Sequence, residues 1–256
     1  MFLLKIFKRF TVFQNLAGTL ISWISPMIEH NIGKYIAIKK AFYLTALEKI
    51  EGDYLEFGVF TGGAFVFATK ANKRMKWINH QDTRFFGFDS FQGFGEMETT
   101  DQHPFYKDDT FAVNFDKVRK NILNQTKGNE VHLIKGYFNE TLDGHKPTEY
   151  GIKKAKIIFI DCDLKGPARS ALSFCKDLIQ EGTILIMDDY FSYKGNSDLG
   201  ISGAFKEFQI ENPNYEWRRL FHYGYLGQTF ICSSTQTNAM AETGATKNKN
   251  LFQPTV

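Results

Sequence analysis

The chain has 256 residues, 43% of them hydrophobic, and a formal net charge of +3; that supplies a real core but not the dense Lys/Arg stripe of a nucleic-acid-binding protein. One large α/β domain with additions is the default. Cys162, Cys175 and Cys232 stand far apart without a CxxC pair, which argues against a disulfide scaffold or zinc finger and predicts reduced thiols in a cytoplasmic protein.

Residues 1–38 are expected to form an apolar or amphipathic helical segment. "MFLLKIFKRFTVFQNLAGTLISWISPMIEH" mixes apolar residues with Lys5, Lys8 and Arg9, while Gln14, Asn15 and Ser22 interrupt any span long enough to cross a bilayer. No small-residue cleavage site follows, so a cleaved signal is not expected either. Two readings stand. The helix packs on its own domain or on a partner copy in a homo-oligomer, the commoner fate of apolar N-terminal helices, or it lies in the interface at the inner face of a membrane.

From residue 39 to 234, apolar runs alternate with helical patterns, which predicts βα units and a parallel sheet. The runs are Asp53–Phe60, Arg84–Ser90, Glu130–Gly136, Ala155–Asp163 and Thr183–Tyr190. Each is short, nearly continuous and ends in glycine or a polar residue, as buried parallel strands do. Helical patterns in "GGAFVFATKANKRM", "NFDKVRKNILNQT", "PARSALSFCKDLIQEG" and "GISGAFKEFQIEN" fill the gaps. "YEWRRLFHY" and "LGQTFICSS" predict a closing antiparallel pair. The insertion near 92–116, rich in aromatics and acids, is too long for an ordinary βα connection and reads as an active-site lid. Residues 235–256 are polar and patternless, and read as a disordered tail.

In an open parallel sheet, ligands bind beyond the carboxyl ends of the strands. The first strand runs into "EFGVFTGGAF", where Gly58, Gly62 and Gly63 suit a tight turn or a close backbone approach to a ligand. The turn matches neither GxGxxG nor the P-loop. Asp89, at the end of the second strand, suits the two hydroxyls of a ribose, or equally a local cap. Phe138, after the third strand, could stand beside an adenine or simply pack. Asp161 and Asp163 end the fourth run and Asp188 and Asp189 the fifth. If the fourth stays extended to its end, Asp161 and Asp163 share a face and Cys162 points away. Four carboxylates at one rim would raise one another's pKa unless a cation compensated them, and a hard ion such as Mg²⁺ prefers such oxygen ligands. Helix capping is the plainer explanation of the same acids.

Taken together, "YLEFGVFTGGAF", "FFGFDSFQGFGE", "KGYFNETL", "IFIDCDL", "TILIMDDY" and "GISGAFKEF" resemble, in that order, the class I S-adenosylmethionine-dependent methyltransferases, and in particular the macrocin O-methyltransferase (TylF-like) family. The resemblance spans roughly Gly52 to Phe208. It implies a Rossmann-like, doubly wound, mostly parallel seven-stranded sheet with an antiparallel C-terminal strand. It further implies an S-adenosylmethionine pocket of Glu56, Gly58, Gly62, Asp89, Ser90 and Phe138, and a divalent metal, Mg²⁺, on Asp161, Asp188 and Asp189. The acceptor would be a hydroxyl of a sugar, glycan or other small polyhydroxylated molecule, with Asp163 as base or supporting partner. The chain departs from the family at "KGPA", where an aromatic is usual. Lys165 there would serve as base, bind an anionic substrate, or be an ordinary surface lysine. A noncatalytic cofactor-binding or membrane-associated partner protein is the competing reading.

Overall fold

Short apolar runs that end in glycine or an acid build the centre of the molecule. The computed structural model describes residues 2–80, 82–107 and 111–234. The expected tail, 235–256, lies outside the described residues. Five strands run parallel: β1 (Asp53–Phe57), β2 (Phe85–Asp89), β3 (Val131–Lys135), β4 (Ala155–Ile160) and β5 (Ile184–Met187). They are completed by β6 (Tyr215–Tyr223) and β7 (Gly227–Ser234), in the order β3-β2-β1-β4-β5-β7-β6. Only β7 opposes the rest, since it pairs antiparallel with both neighbours. The fold is therefore the expected doubly wound, mostly parallel seven-stranded sheet.

The chain winds outward from β1 in one direction and from β4 in the other, so the switch point lies between them, where ligands of such sheets bind. Register then aligns the strand ends. Phe57 pairs with Phe88 and Ile160, and Ile160 pairs with Met187. The residues just beyond, Asp89, Gly58, Asp161 and Asp188, consequently form one row along the rim.

Every residue of β1, β4 and β5 is buried, and alternation sends side chains to two cores. Leu55, Phe57, Phe86, Phe88, Ile158 and Ile160 face one cluster, with residues of α5 (Phe138–Thr141), α6 (Lys165–Cys175) and α7 (Gly200–Glu211). Tyr54, Phe85, Ile157 and Phe159 face the other, with residues of α2 (Pro26–Leu47), α3 (Gly63–Met75) and α4 (Phe115–Gln125). The expected division at residue 38 falls inside α2, which runs through it unbroken and buries Ala37, Ile38, Ala41 and Phe42. α1 (Phe2–Ser22) precedes it.

The strands stop earlier than the apolar runs because the chain turns sharply at their ends. Gly58 has φ 95° and Phe60 φ 49°. The close approach that Gly58 permits is to the neighbouring strand: a Cβ there would overlap the carbonyl oxygen of Asp161. Gly62, at φ 84°, caps α3, and its open side is filled by Ile122 of α4.

Gly58→Ala should therefore destabilise the protein by on the order of 3 kcal/mol in urea unfolding, from an unfavourable φ plus a backbone clash. Gly166→Ala is the contrast. Gly166 lies within α6 with nothing within 4 Å of the added methyl, so that change should be neutral or stabilise by up to about 1 kcal/mol.

Candidate active site

A cavity of about 560 Å³ opens at the switch point, lined by Glu56, Gly58, Asp89, Ser90, Phe138 and all four aspartates at the ends of β4 and β5. It thus holds every residue expected for cofactor and metal except Gly62.

The acids are arranged as two pairs. Asp161 stands beside Asp188, and Asp163 beside Asp189. Because β4 ends at Ile160, Asp161 and Asp163 do not sit on one face of an extended strand. Asp163 instead has φ 62°, and the Leu164 amide donates to the Cys162 carbonyl at 2.6 Å. That is a γ-turn of the rarer, strained form, a conformation that clusters at functional sites. Oxygens of Asp161, Asp188 and Asp189 lie within 4.8 Å of one another.

What compensates this charge comes from α2. Lys34 Nζ lies 2.8 Å from Asp161 Oδ2 and 2.7 Å from Asp188 Oδ2. Asp188 Oδ1 faces His30 Nε2 at 3.1 Å and accepts from the Tyr223 hydroxyl at 2.8 Å. Burial pushes the Asp188 carboxyl up, but Lys34 and His30 outweigh it and hold it below the usual carboxylate range. Asp161 and Asp163 move the other way, raised by burial and by the charges of Asp188 and Asp189 respectively. The hydrogen bond to Asp188 raises His30 against its own burial. Sequence reading missed His30, Lys34 and Tyr223. Helical spacing was the available signal, since His30 and Lys34 continue at intervals of four into Ile38, on the buried side of α2.

The donor set fits a hard divalent ion: three carboxylates, oxygen ligands only, with more negative charge than Lys34 and His30 balance. Lys34 shares two of those ligands.

On the cofactor side, Glu56 is fully buried, its Oε2 takes the Tyr54 hydroxyl, and its Oε1 has no partner. An unpaired buried acceptor facing a cavity suits a ligand donor such as an ammonium group. Asp89 is more committed than expected. Its Oδ2 accepts the Val59 and Phe60 amides, both at 2.7 Å, and its Oδ1 the Phe91 amide at 2.6 Å. One acceptor position remains on Oδ1, room for one ribose hydroxyl and not for two. Ser90 donates to the Gly93 carbonyl at 2.7 Å and accepts the Gln92 amide at 3.0 Å. Phe138 meets Phe57 edge-on at 5.8 Å and so belongs to core and cavity alike.

Lys165 is not brought to this site. Its ammonium pairs with Glu207 at 2.7 Å and donates to the Asp198 carbonyl at 2.9 Å. Its amide does tie the insertion down, donating to Asp101 Oδ1 at 3.2 Å. From the same insertion Phe94, His103, Phe105, Tyr106 and Phe111 line the cavity, and the Tyr106 hydroxyl meets Ser192 Oγ at 2.8 Å.

With this geometry in view, the comparisons are specific. The macrocin-O-methyltransferase (TylF) family model matches residues 34–213. The chain belongs to that family. It is accordingly an S-adenosylmethionine-dependent methyltransferase. The mycinamicin III 3''-O-methyltransferase of Micromonospora griseorubida is 27% identical over 187 residues, 66% of this chain and 69% of that protein. Among solved structures, the O-methyltransferase NovP superposes with a TM-score of 0.63 at 22% identity, over 78% of this chain and 79% of that one. The calicheamicin methyltransferase CalS11 superposes at 0.64 with 16% identity, over 85% and 84%. These two likenesses show the fold. The family match begins at Lys34, so it takes in the lysine and the part of α2 that follows it, but not His30.

Burial lifts the Glu56 carboxyl from an ordinary 4.5 to about 8, against the pull of Tyr54 and Lys34. The folded state thus holds a proton that the unfolded chain loses, and stability falls as pH rises from 4.5 towards 8. Urea unfolding of Glu56→Gln at pH 5 and pH 8 should show this loss reduced relative to the parent protein; parallel slopes would refute it.

Proposed function

We propose that this chain methylates a hydroxyl of a sugar or other small polyhydroxylated acceptor, assisted by a Mg²⁺-class cation on Asp161, Asp188 and Asp189. The observation that carries the reading is the row of acids at the sheet's switch point, beside a cavity with an unpaired buried carboxyl oxygen at its cofactor end. The mycinamicin relative is a 3''-O-methyltransferase, which supports an oxygen acceptor. When bound, S-adenosylmethionine supplies an electrophilic methyl group, and the cation supplies positive charge that lowers the pKa of an acceptor hydroxyl.

The remaining work falls to the chain's own residues. Glu56 receives an ammonium donor, Asp89 a ribose hydroxyl and Phe138 an apolar ring face. Asp163, which lines the cavity at the γ-turn, takes the acceptor's proton on a carboxylate oxygen. Lys34 holds Asp161 and Asp188 in place by ion pairing. The aromatic insertion keeps water from the reacting atoms.

Titration calorimetry with S-adenosylmethionine should show binding, and none at millimolar concentrations would overturn the cofactor assignment. Chelation with EDTA should abolish methyl transfer and Mg²⁺ restore it; activity indifferent to chelation would remove the cation. Asp163→Asn should lower kcat by about 10²- to 10⁴-fold while S-adenosylmethionine still binds. Lys34→Met removes a like charge from two metal ligands, so Mn²⁺ should bind at least about tenfold more tightly by calorimetry. Unchanged affinity would show that Lys34 does not share those ligands with the cation.

A further inference from the structure

Every residue from Phe10 to Glu29 is exposed, although this stretch is among the most apolar in the chain. Phe10 is 64% accessible, Phe13 70% and Trp23, at the joint between α1 and α2, 79%. At 3.6 residues per turn, Phe10, Phe13, Ala17, Leu20 and Ile21 fall on one side of α1, and Thr11, Asn15, Gly18 and Ser22 on the other. The apolar surface continues onto α2 through Ile28, Ile32 and Ile36, spaced four residues apart and all exposed. It runs up to the cavity, because Pro26 and Met27 line its wall.

Charge decides what covers this surface. Lys5, Lys8 and Arg9 lie in α1, and no acidic residue occurs before Glu29. Two copies meeting face to face along α1 would bring like charges together with no acid in α1 to pair them. The sequence beyond residue 234 suits it poorly too, since Met240, Leu251, Phe252 and Val256 are its only large apolar residues and its two lysines outnumber its one acid, Glu242. An anionic lipid surface meets both requirements: it takes the apolar side into the acyl boundary and attracts the basic residues. Among the described residues no helix is long and apolar enough to cross a membrane. We infer that α1 and the start of α2 form an in-plane anchor that docks this protein on anionic membranes, with Trp23 at the headgroup level. The inference is independent of methyl transfer.

Flotation of the full chain with phosphatidylcholine vesicles, with and without 30% phosphatidylglycerol, tests it. Binding should appear on the anionic vesicles, weaken at least about tenfold on neutral ones and fall with salt. F10E/F13E and, separately, K5Q/K8Q/R9Q should each reduce binding about tenfold or more, while S-adenosylmethionine affinity and circular dichroism report an intact domain. Absence from the anionic vesicle fraction, or binding insensitive to both variants, would overturn the proposal. So would light scattering that shows a stable dimer made monomeric by F10E/F13E, which would assign the surface to a second copy.

Discussion

The structure turns on one electrostatic problem, a knot of carboxylates buried at the ends of β4 and β5, and on the ammonium of Lys34 that enters it from α2. Uncompensated buried charge costs several kcal/mol per ion even after relaxation, so a helix that brings a cation there is held by more than its apolar face. His30 and Tyr223 reach the same aspartate from α2 and from the end of β6. α2 and the C-terminal hairpin thus meet at Asp188, and the β6 edge of the sheet is tied to its centre through the chemistry of the site.

Above the acids the insertion is held by the groups it covers. The Tyr106 hydroxyl meets Ser192, whose own hydroxyl donates to Asp189 at 3.3 Å, while Asp101 accepts both an amide from the start of α6 and, on its carbonyl, the Tyr193 hydroxyl at 3.2 Å. Ser192 thus touches cover and acid together.

The fold was legible because five nearly continuous apolar runs, each closed by a glycine or an acid, leave little choice but a parallel sheet. The acids were legible for the same reason: strand ends of a doubly wound sheet converge on one rim. The pairing of the acids was not, since a residue at φ 62° breaks the alternation on which the extended reading of "IDCD" rests. Nor was the role of Asp89, whose carboxylate is largely spent on three backbone amides that only the folded loop brings together. Lys165 shows the opposite limit. Its place beside the acids in sequence carried no information about direction, and in space it turns to Glu207. His30 and Lys34 lie more than a hundred residues from their partners, and only their period along α2 marks them as inward-facing.

Gly58 deserves a last consideration as a spacer. By carrying no side chain it lets the turn after β1 rest directly on the carbonyl of Asp161, so the side of the cavity that holds Glu56 and the side that holds Asp161 share one atomic contact. The spacing of the cavity's two sides at that point is then set by backbone and not by a side chain. A single added methyl there would therefore move both sides of the cavity at once.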